Sequence, residues 1–172
     1  MSGQSTDSIT EQRCPCGSEI PYANCCAPLH RREAKASTPE ALMRSRYSAF
    51  ALGGLGAYLL ETWDRDSRPA ELTAETLDAR DNDWLGLEIL DSGVSGARGS
   101  VEFKARCVPR DGSVTQPQTL HERSRFRRRG GAWVYVDGVL DPAPETPRAS
   151  SVSRNAPCPC GSGKKAKRCC HA

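Results

Sequence analysis

The 172-residue sequence has no long apolar run: its greasiest stretch, Phe50 to Leu60, is eleven residues broken by Gly53, Gly54 and Gly56, far short of the ~20 needed to cross a bilayer. Its opening residues, MSGQSTDSITEQR, lack a basic patch followed by an apolar segment. No secretory leader is therefore expected, and a reducing, bacterial-type cytosol is the expected compartment. Nine cysteines make up about 5% of the chain, below the roughly 8–10% of a disulfide-built scaffold, and their odd number leaves one thiol over in any pairing scheme. The usual catalytic signatures are missing too: no duplicated carboxylate pair and no nucleophile beside a base. The run Gly161-Ser-Gly163-Lys164-Lys165 lacks the upstream glycine and the Ser/Thr of a Walker loop. These absences lean away from an enzyme.

What the sequence does contain is a repeat. Cys14-Pro15-Cys16-Gly17-Ser18 followed by Cys25-Cys26 returns as Cys158-Pro159-Cys160-Gly161-Ser162 followed by Cys169-Cys170, with the same spacing throughout. Thiolates are soft ligands, and four in a short segment suit a closed tetrahedral zinc site. The glycine after the second cysteine allows a tight turn whose backbone N–H groups can face a ligand sulfur. An iron–sulfur cluster, a redox dithiol and structural disulfides are the alternatives. Two zinc ions are therefore expected, one on Cys14, Cys16, Cys25 and Cys26 and one on Cys158, Cys160, Cys169 and Cys170.

Charge is unevenly spread. Residues 154–172 hold Arg154, Lys164, Lys165, Lys167 and Arg168 and no acid, whereas the whole chain carries only +3, so the remainder is net negative. Four thiolates around zinc leave −2, which the C-terminal cations offset, while the N-terminal copy has only Glu19 in its loop. Tighter metal retention is expected at the C-terminal copy.

Between the repeats, Ser37-Thr38-Pro39-Glu40 marks a helix start: hydroxyl cap, proline in the first turn, then an acid. Met43, Tyr47, Phe50 and Ala51 form its buried stripe, with Arg44 and Ser48 on other faces, and Gly53-Gly54 ends it. A second helix carries Leu55, Tyr58 and Leu59 toward Trp63, and Thr73 to Asp78 forms a short third one ahead of an acidic Asp81-Asn82-Asp83 loop. From Trp84 the period becomes two, through Leu85, Leu87 and Ile89, then Val101, Phe103, Ala105 and Cys107. Gly130-Gly131 joins Leu120–Arg129 to Ala132–Leu140 as a hairpin. Helices followed by antiparallel strands argue an α+β domain.

Cys107, the ninth cysteine, shares the apolar face of its strand and reads as a small core residue. Alternation places Leu120, Glu122, Ser124 and Phe126 on one side of the next strand, and His121, Arg123 and Arg125 on the other. Glu122 thus faces the apolar side, either lining a cavity or pairing with Arg44 or Arg46; pairing is favoured because buried charges are usually paired. The run Arg123, Arg125, Arg127, Arg128 and Arg129 is either a nucleic-acid patch or, as favoured here, a solvated stripe on an edge strand. Pro142, Pro144, Pro147 and the serines up to Ser153 read as an extended linker. The expected division is 1–33 zinc module, 34–141 α+β domain, 142–153 linker and 154–172 second zinc module.

Both cysteine repeats resemble the SEC-C motif, the zinc module at the C terminus of the SecA translocation ATPase, the C-terminal copy more closely. The N-terminal copy has Glu19-Ile20-Pro21-Tyr22 where that motif tends to have Gly-Lys-x-Tyr. The fourth ligand is cysteine in both, with His171 next door as a substitute. An N-terminal SEC-C motif, then ALMRSRYSAF, Trp84-Leu-Gly-Leu-Glu-Ile-Leu, LHERSRF and Trp-Val-Tyr-Val-Asp-Gly, resembles the YchJ family. The resemblance implies a cone-shaped, nuclear-transport-factor-like middle domain, but a fold does not by itself supply an activity.

Two functional expectations follow. One is a zinc-dependent interaction or adaptor protein whose Lys164, Lys165, Lys167 and Arg168 dock on an acidic partner, ribosomal RNA or a secretion chaperone, as the SEC-C resemblance implies. About +3 remains on a zinc-loaded tail, enough for a salt-sensitive encounter, and without aromatics there the tail is not built for base stacking. The other is a small-molecule binder or enzyme using a cavity of the middle domain, with Glu122 as general base and Arg44, Arg46, Tyr47 or Tyr135 orienting the ligand.

Overall fold

The structure, a computed structural model, describes residues 12–143. These fall almost wholly within one compact unit that ends at Pro142. The second cysteine repeat, its basic residues and nearly all of the expected linker lie outside the described residues.

The order of elements is helices, then sheet: α1 (Ala27–His30), α2 (Pro39–Leu52), α3 (Gly56–Glu61) and α4 (Ala74–Asp78), followed by β1 (Asn82–Ser95), β2 (Arg98–Pro109), β3 (Gln118–Arg129) and β4 (Ala132–Leu140). Helix α2 starts where its capping sequence predicts. Thr38 Oγ1 accepts from the Ala41 N–H at 3.1 Å, with Pro39 and Glu40 in the first turn, satisfying a donor that the helix start would leave orphaned. It stops at Gly53, whose φ of 73° lies in the left-handed region that L side chains avoid. Helix α4 opens with a reciprocal Thr73–Thr76 capping box. It lies so close to α3 that a Cβ at Gly56 would stand 1.9 Å from the Ala74 carbonyl oxygen. No helix among the described residues is long and apolar enough to cross a membrane.

The strands form one antiparallel sheet in the order β1-β2-β3-β4. The β3–β4 turn is the expected hairpin, with φ of 55° at Gly130 and 78° at Gly131, as a tight turn matched to strand twist requires. Strand β1 starts inside the acidic segment read as a loop, and its register against β2 slips between Trp84 and Gly86 and again between Ile89 and Asp91. Such bulges bend a strand and increase its twist. They leave Leu85 and Leu90 on the surface.

Helix α2 packs across one face of the sheet. Leu42, Met43 and Tyr47 from the helix meet Val101, Phe103, Ala105, Phe126 and Trp133 from β2, β3 and β4, and this removal of apolar surface from water is the main driving force of the fold. Cys107 is buried on this face as expected, and burial pushes its thiol pKa up, the behaviour of a packing residue rather than a reactive one.

The opposite face of the sheet corrects the reading of the arginines. Strand β3 lies between β2 and β4, not at an edge, and its arginines face carboxylates. Glu102 accepts from Arg123 Nε at 2.8 Å and also meets His121 Nε2 at 2.8 Å. Arg125 pairs with Asp137, and Arg127 and Arg129 converge on Asp64 and Asp66. Arg128 stacks over Trp133, 5.1 Å from its centroid. The partners come from β2, β4 and the segment after α3, which is why a pattern read along one strand does not reveal them.

Candidate metal centre and cavity on either side of helix α2

The N-terminal cysteines converge from two short segments. A strand-like contact between Arg13 and Pro21 closes the first. Gly17, at φ 75°, makes the turn after Cys16, and a short 3-10 turn at Tyr22–Asn24 leads into Cys25 and Cys26 at the start of α1. Cys14, Cys16 and Cys26 are buried.

All four Sγ atoms lie within 4.8 Å of one another. Cys16 and Cys25 are 3.6 Å apart and Cys25 and Cys26 3.8 Å. A tetrahedron built on metal–sulfur bonds of ~2.3 Å has corners ~3.8 Å apart, so the donor set has the right size for zinc.

The electrostatics point the same way. Hydrogen bonds from Cys14 and Cys26 hold the Cys16 thiol far below its usual pKa. The contacts with Cys14 and Cys16 push Cys26 far up, and burial pushes Cys25 up to about 11. Four crowded thiols cannot all ionise by themselves; a divalent cation removes that conflict and takes all four as thiolates.

The surroundings of the cluster come largely from α2. Ser48, expected on a face other than the buried stripe, is fully buried against the cysteines, with Oγ 3.4 Å from Cys14 Sγ and donating to Cys26 Sγ at 3.5 Å. Ser18 Oγ lies 3.1 Å from Cys25 Sγ, and Arg44 Nη1 donates to the Cys16 carbonyl at 2.9 Å. Contacts of this kind orient metal ligands and tune their basicity. His30 is not a candidate ligand. Its Nε2 donates to the Ser45 carbonyl at 2.9 Å and its Nδ1 accepts from the Tyr22 hydroxyl at 2.7 Å, so both nitrogens are occupied; burial lowers its pKa and keeps it neutral.

Polarity sets Ser48 and its neighbour Ser45 apart from the apolar stripe of the helix. The signal was their size: Ala41, Ser45, Ser48 and Ala49 make a small-residue stripe at helical spacing, as close approach of another backbone requires.

On the other side of α2 lies a cavity of about 260 Å³, walled by Tyr47, Phe50, Trp84 and Phe103 and reached by Arg46 and Glu122. Four of the five sequence candidates, Glu122, Arg46, Tyr47 and Tyr135, therefore meet. Arg44 does not: it pairs with Glu40 at 2.9 Å on the cysteine side.

The expected Glu122–arginine ion pair is also absent. Arg46 is buried, donates from Nη1 to the Leu59 carbonyl and Thr62 Oγ1, both at 2.7 Å, and lies 5.4 and 4.8 Å from the ring centroids of Trp63 and Tyr135. These partners outcompete the carboxylate. Burial lowers its pKa to about 10 and raises that of Tyr47 to about 12. Glu122 instead accepts from Ser124 Oγ at 2.6 Å and the Tyr135 hydroxyl at 3.3 Å, both on Oε1.

The family model for the YchJ middle NTF2-like domain matches residues 38–138, over half of the chain. The chain belongs to the YchJ family. The SEC-C motif model matches at residues 12–28 and 154–172, the segments that hold the two cysteine repeats. A UPF0225 protein of Serratia proteamaculans is 41% identical over 160 residues, covering 91% of this chain and 96% of its own. The UPF0225 protein YchJ of Shigella dysenteriae is 41% identical over 162 residues, covering 92% and 97%.

Solved structures agree on the fold. A SEC-C motif containing protein from Rhodopseudomonas palustris, determined in solution, matches with a TM-score of 0.66 at 40% identity, over 74% of this chain and 98% of that one. A crystal structure of a SEC-C motif containing protein from Psychrobacter arcticus matches at 0.63 and 30%, over 95% and 97%. The α+β middle domain of this YchJ-family chain is thus NTF2-like.

Proposed function

We infer that the protein is a zinc-stabilised cytosolic adaptor whose basic C-terminal SEC-C module docks on an acidic macromolecule, ribosomal RNA or an acidic secretion chaperone. The observation that carries this reading is the closed N-terminal cluster: four protein thiols surround the metal position, leaving no coordination site for a substrate or an activated water. Zinc there serves the fold rather than hydrolysis. A second ion on Cys158, Cys160, Cys169 and Cys170 serves the tail in the same way. Four of the five arginines of β3 are taken up by carboxylates and Arg128 stacks on Trp133, which favours residues 154–172 for the docking role. There Lys164, Lys165, Lys167 and Arg168 provide a point-charge surface suited to phosphates or a carboxylate-rich patch.

Co-sedimentation with ribosomes, alongside pulldown on an acidic chaperone, tests this with three proteins: the intact chain, a truncation after residue 153, and K164Q/K165Q/K167Q/R168Q. Association that weakens with salt and is lost in both variants supports docking and identifies which class of partner it uses. Equal association by all three proteins refutes it.

A further inference from the structure

We propose that the cavity between α2 and the sheet is a binding site for a small, uncharged, planar molecule that donates a hydrogen bond to Glu122. Size comes first. At about 260 Å³ the space equals eight or nine waters at ~30 Å³ each, room for one or two rings. Its walls, Tyr47, Phe50, Trp84 and Phe103, favour a flat apolar body, since aromatic faces gain from offset or edge-on contact with another ring.

The polar features are specific. Glu122 is built into its place: a Cβ at Gly138, which pairs with Ser124 in the β3–β4 register, would stand 2.0 Å from Glu122 Oε1, so the glycine leaves room for the carboxylate. Ser124 and Tyr135 both donate to Oε1. Oε2 has no hydrogen-bond donor among the described residues, and no cation stands within salt-bridge distance of either oxygen. A carboxylate in such a setting accepts only, so it calls for a donor.

Charge sets the remaining requirement. Arg46 supplies one positive charge near the single negative charge of Glu122. A ligand carrying net charge would leave one of these charges, or its own, uncompensated against largely apolar walls. One buried polar atom on the cavity side lacks a partner: Trp63 Nε1, beside Arg46, has no acceptor among the described residues, which is uncommon in a finished core.

The test uses the intact zinc-loaded protein and NMR titration with five probes: phenol, indole, toluene, benzoate and benzylamine. Phenol and indole are expected to shift the signals of Glu122, Trp84 and Tyr47, with toluene about tenfold weaker for want of a donor and both charged probes weaker than phenol. E122Q should weaken phenol about tenfold while leaving toluene unchanged. G138A, whose Cβ displaces the carboxylate, should reproduce that loss and covers the case in which E122Q fails to fold. Toluene binding as well as phenol overturns the proposal, as does benzylamine or benzoate binding better than phenol. So do shifts lying away from the cavity, or no shift with saturating phenol and indole.

Discussion

The two sides of α2 obey different rules. Toward the cysteines the helix presents small residues, and every polar group described there is engaged: Ser48 with two sulfurs, Ser45 with Tyr58 and the Leu42 carbonyl, His30 at both nitrogens. Toward the sheet it presents Met43, Arg46, Tyr47 and Phe50, and there a cavity remains, with an unpaired carboxylate and an orphaned indole N–H. A side that is closed and satisfied contributes stability. A side that is open and under-satisfied costs stability, and natural proteins keep such costs chiefly where something binds.

The sharpest way to break this comparison is to remove the metal. C26S, or a strong chelator on the intact protein, should lower stability by roughly 3 kcal/mol or more, since structural zinc binding in small domains is worth on the order of 10 kcal/mol. Thermal unfolding by circular dichroism reads this, and an unchanged melting temperature would mean that the cysteine side does not hold the fold.

Asp64, on neither side, is the next largest. Only 1% exposed, it receives Arg127 and Arg129 from β3. D64N should cost about 2–3 kcal/mol, less than a wholly buried pair because both arginines are partly solvated. Burial pushes the Asp64 pKa up, but the two arginines together outweigh it and the net shift is downward. A depressed carboxylate contributes stability above its unfolded pKa of ~3.9, and that contribution is lost as pH falls toward the lower folded value. The variant should therefore show a flatter loss of stability below about pH 4 than the parent, measured by denaturant melts across pH.

S48A tests whether α2 takes part in metal binding. Loss of its two sulfur contacts should weaken metal affinity about 10-fold or more, as read by competition with a chromophoric chelator. An affinity equal to the parent's would reduce Ser48 to packing. The smallest effect belongs to the cavity side: E122Q should change stability by no more than ~1 kcal/mol, because the Gln side chain still accepts from Ser124 and Tyr135 and Arg46 keeps the Leu59 carbonyl and Thr62. A drop of several degrees would make Glu122 part of the scaffold.

What could be read from the sequence was local. The cap at Thr38, the Gly53 stop, the Gly130-Gly131 hairpin and the alternation that turns Glu122 inward each depend on residues within one or two turns of chain. The grouping of Cys14, Cys16, Cys25 and Cys26 was legible for the same reason: the segment is short enough to close on itself. What escaped depends on distant residues. Strand β3 was placed at an edge because, beyond the hairpin to β4, nothing within it says that β2 will pair along its other side. Arg46 was offered to Glu122 because its better partners, the Leu59 carbonyl and Thr62, lie beyond a helix break. Ser48 looked idle because its neighbours are 22 and 34 residues upstream.

The carboxylates that face the β3 arginines have an effect beyond stability. Asp64, Asp66, Glu102 and Asp137 turn a row of cations into short dipoles, whose fields fade within a few ångströms while an uncompensated charge reaches out to the ~10 Å Debye length of 0.1 M salt. At long range the four paired arginines of β3 therefore add little to the field of the sheet. Ionic strength becomes a useful probe of this chain: the salt dependence of an association rate should owe little to those paired arginines and more to uncompensated cations such as those of the C-terminal sequence.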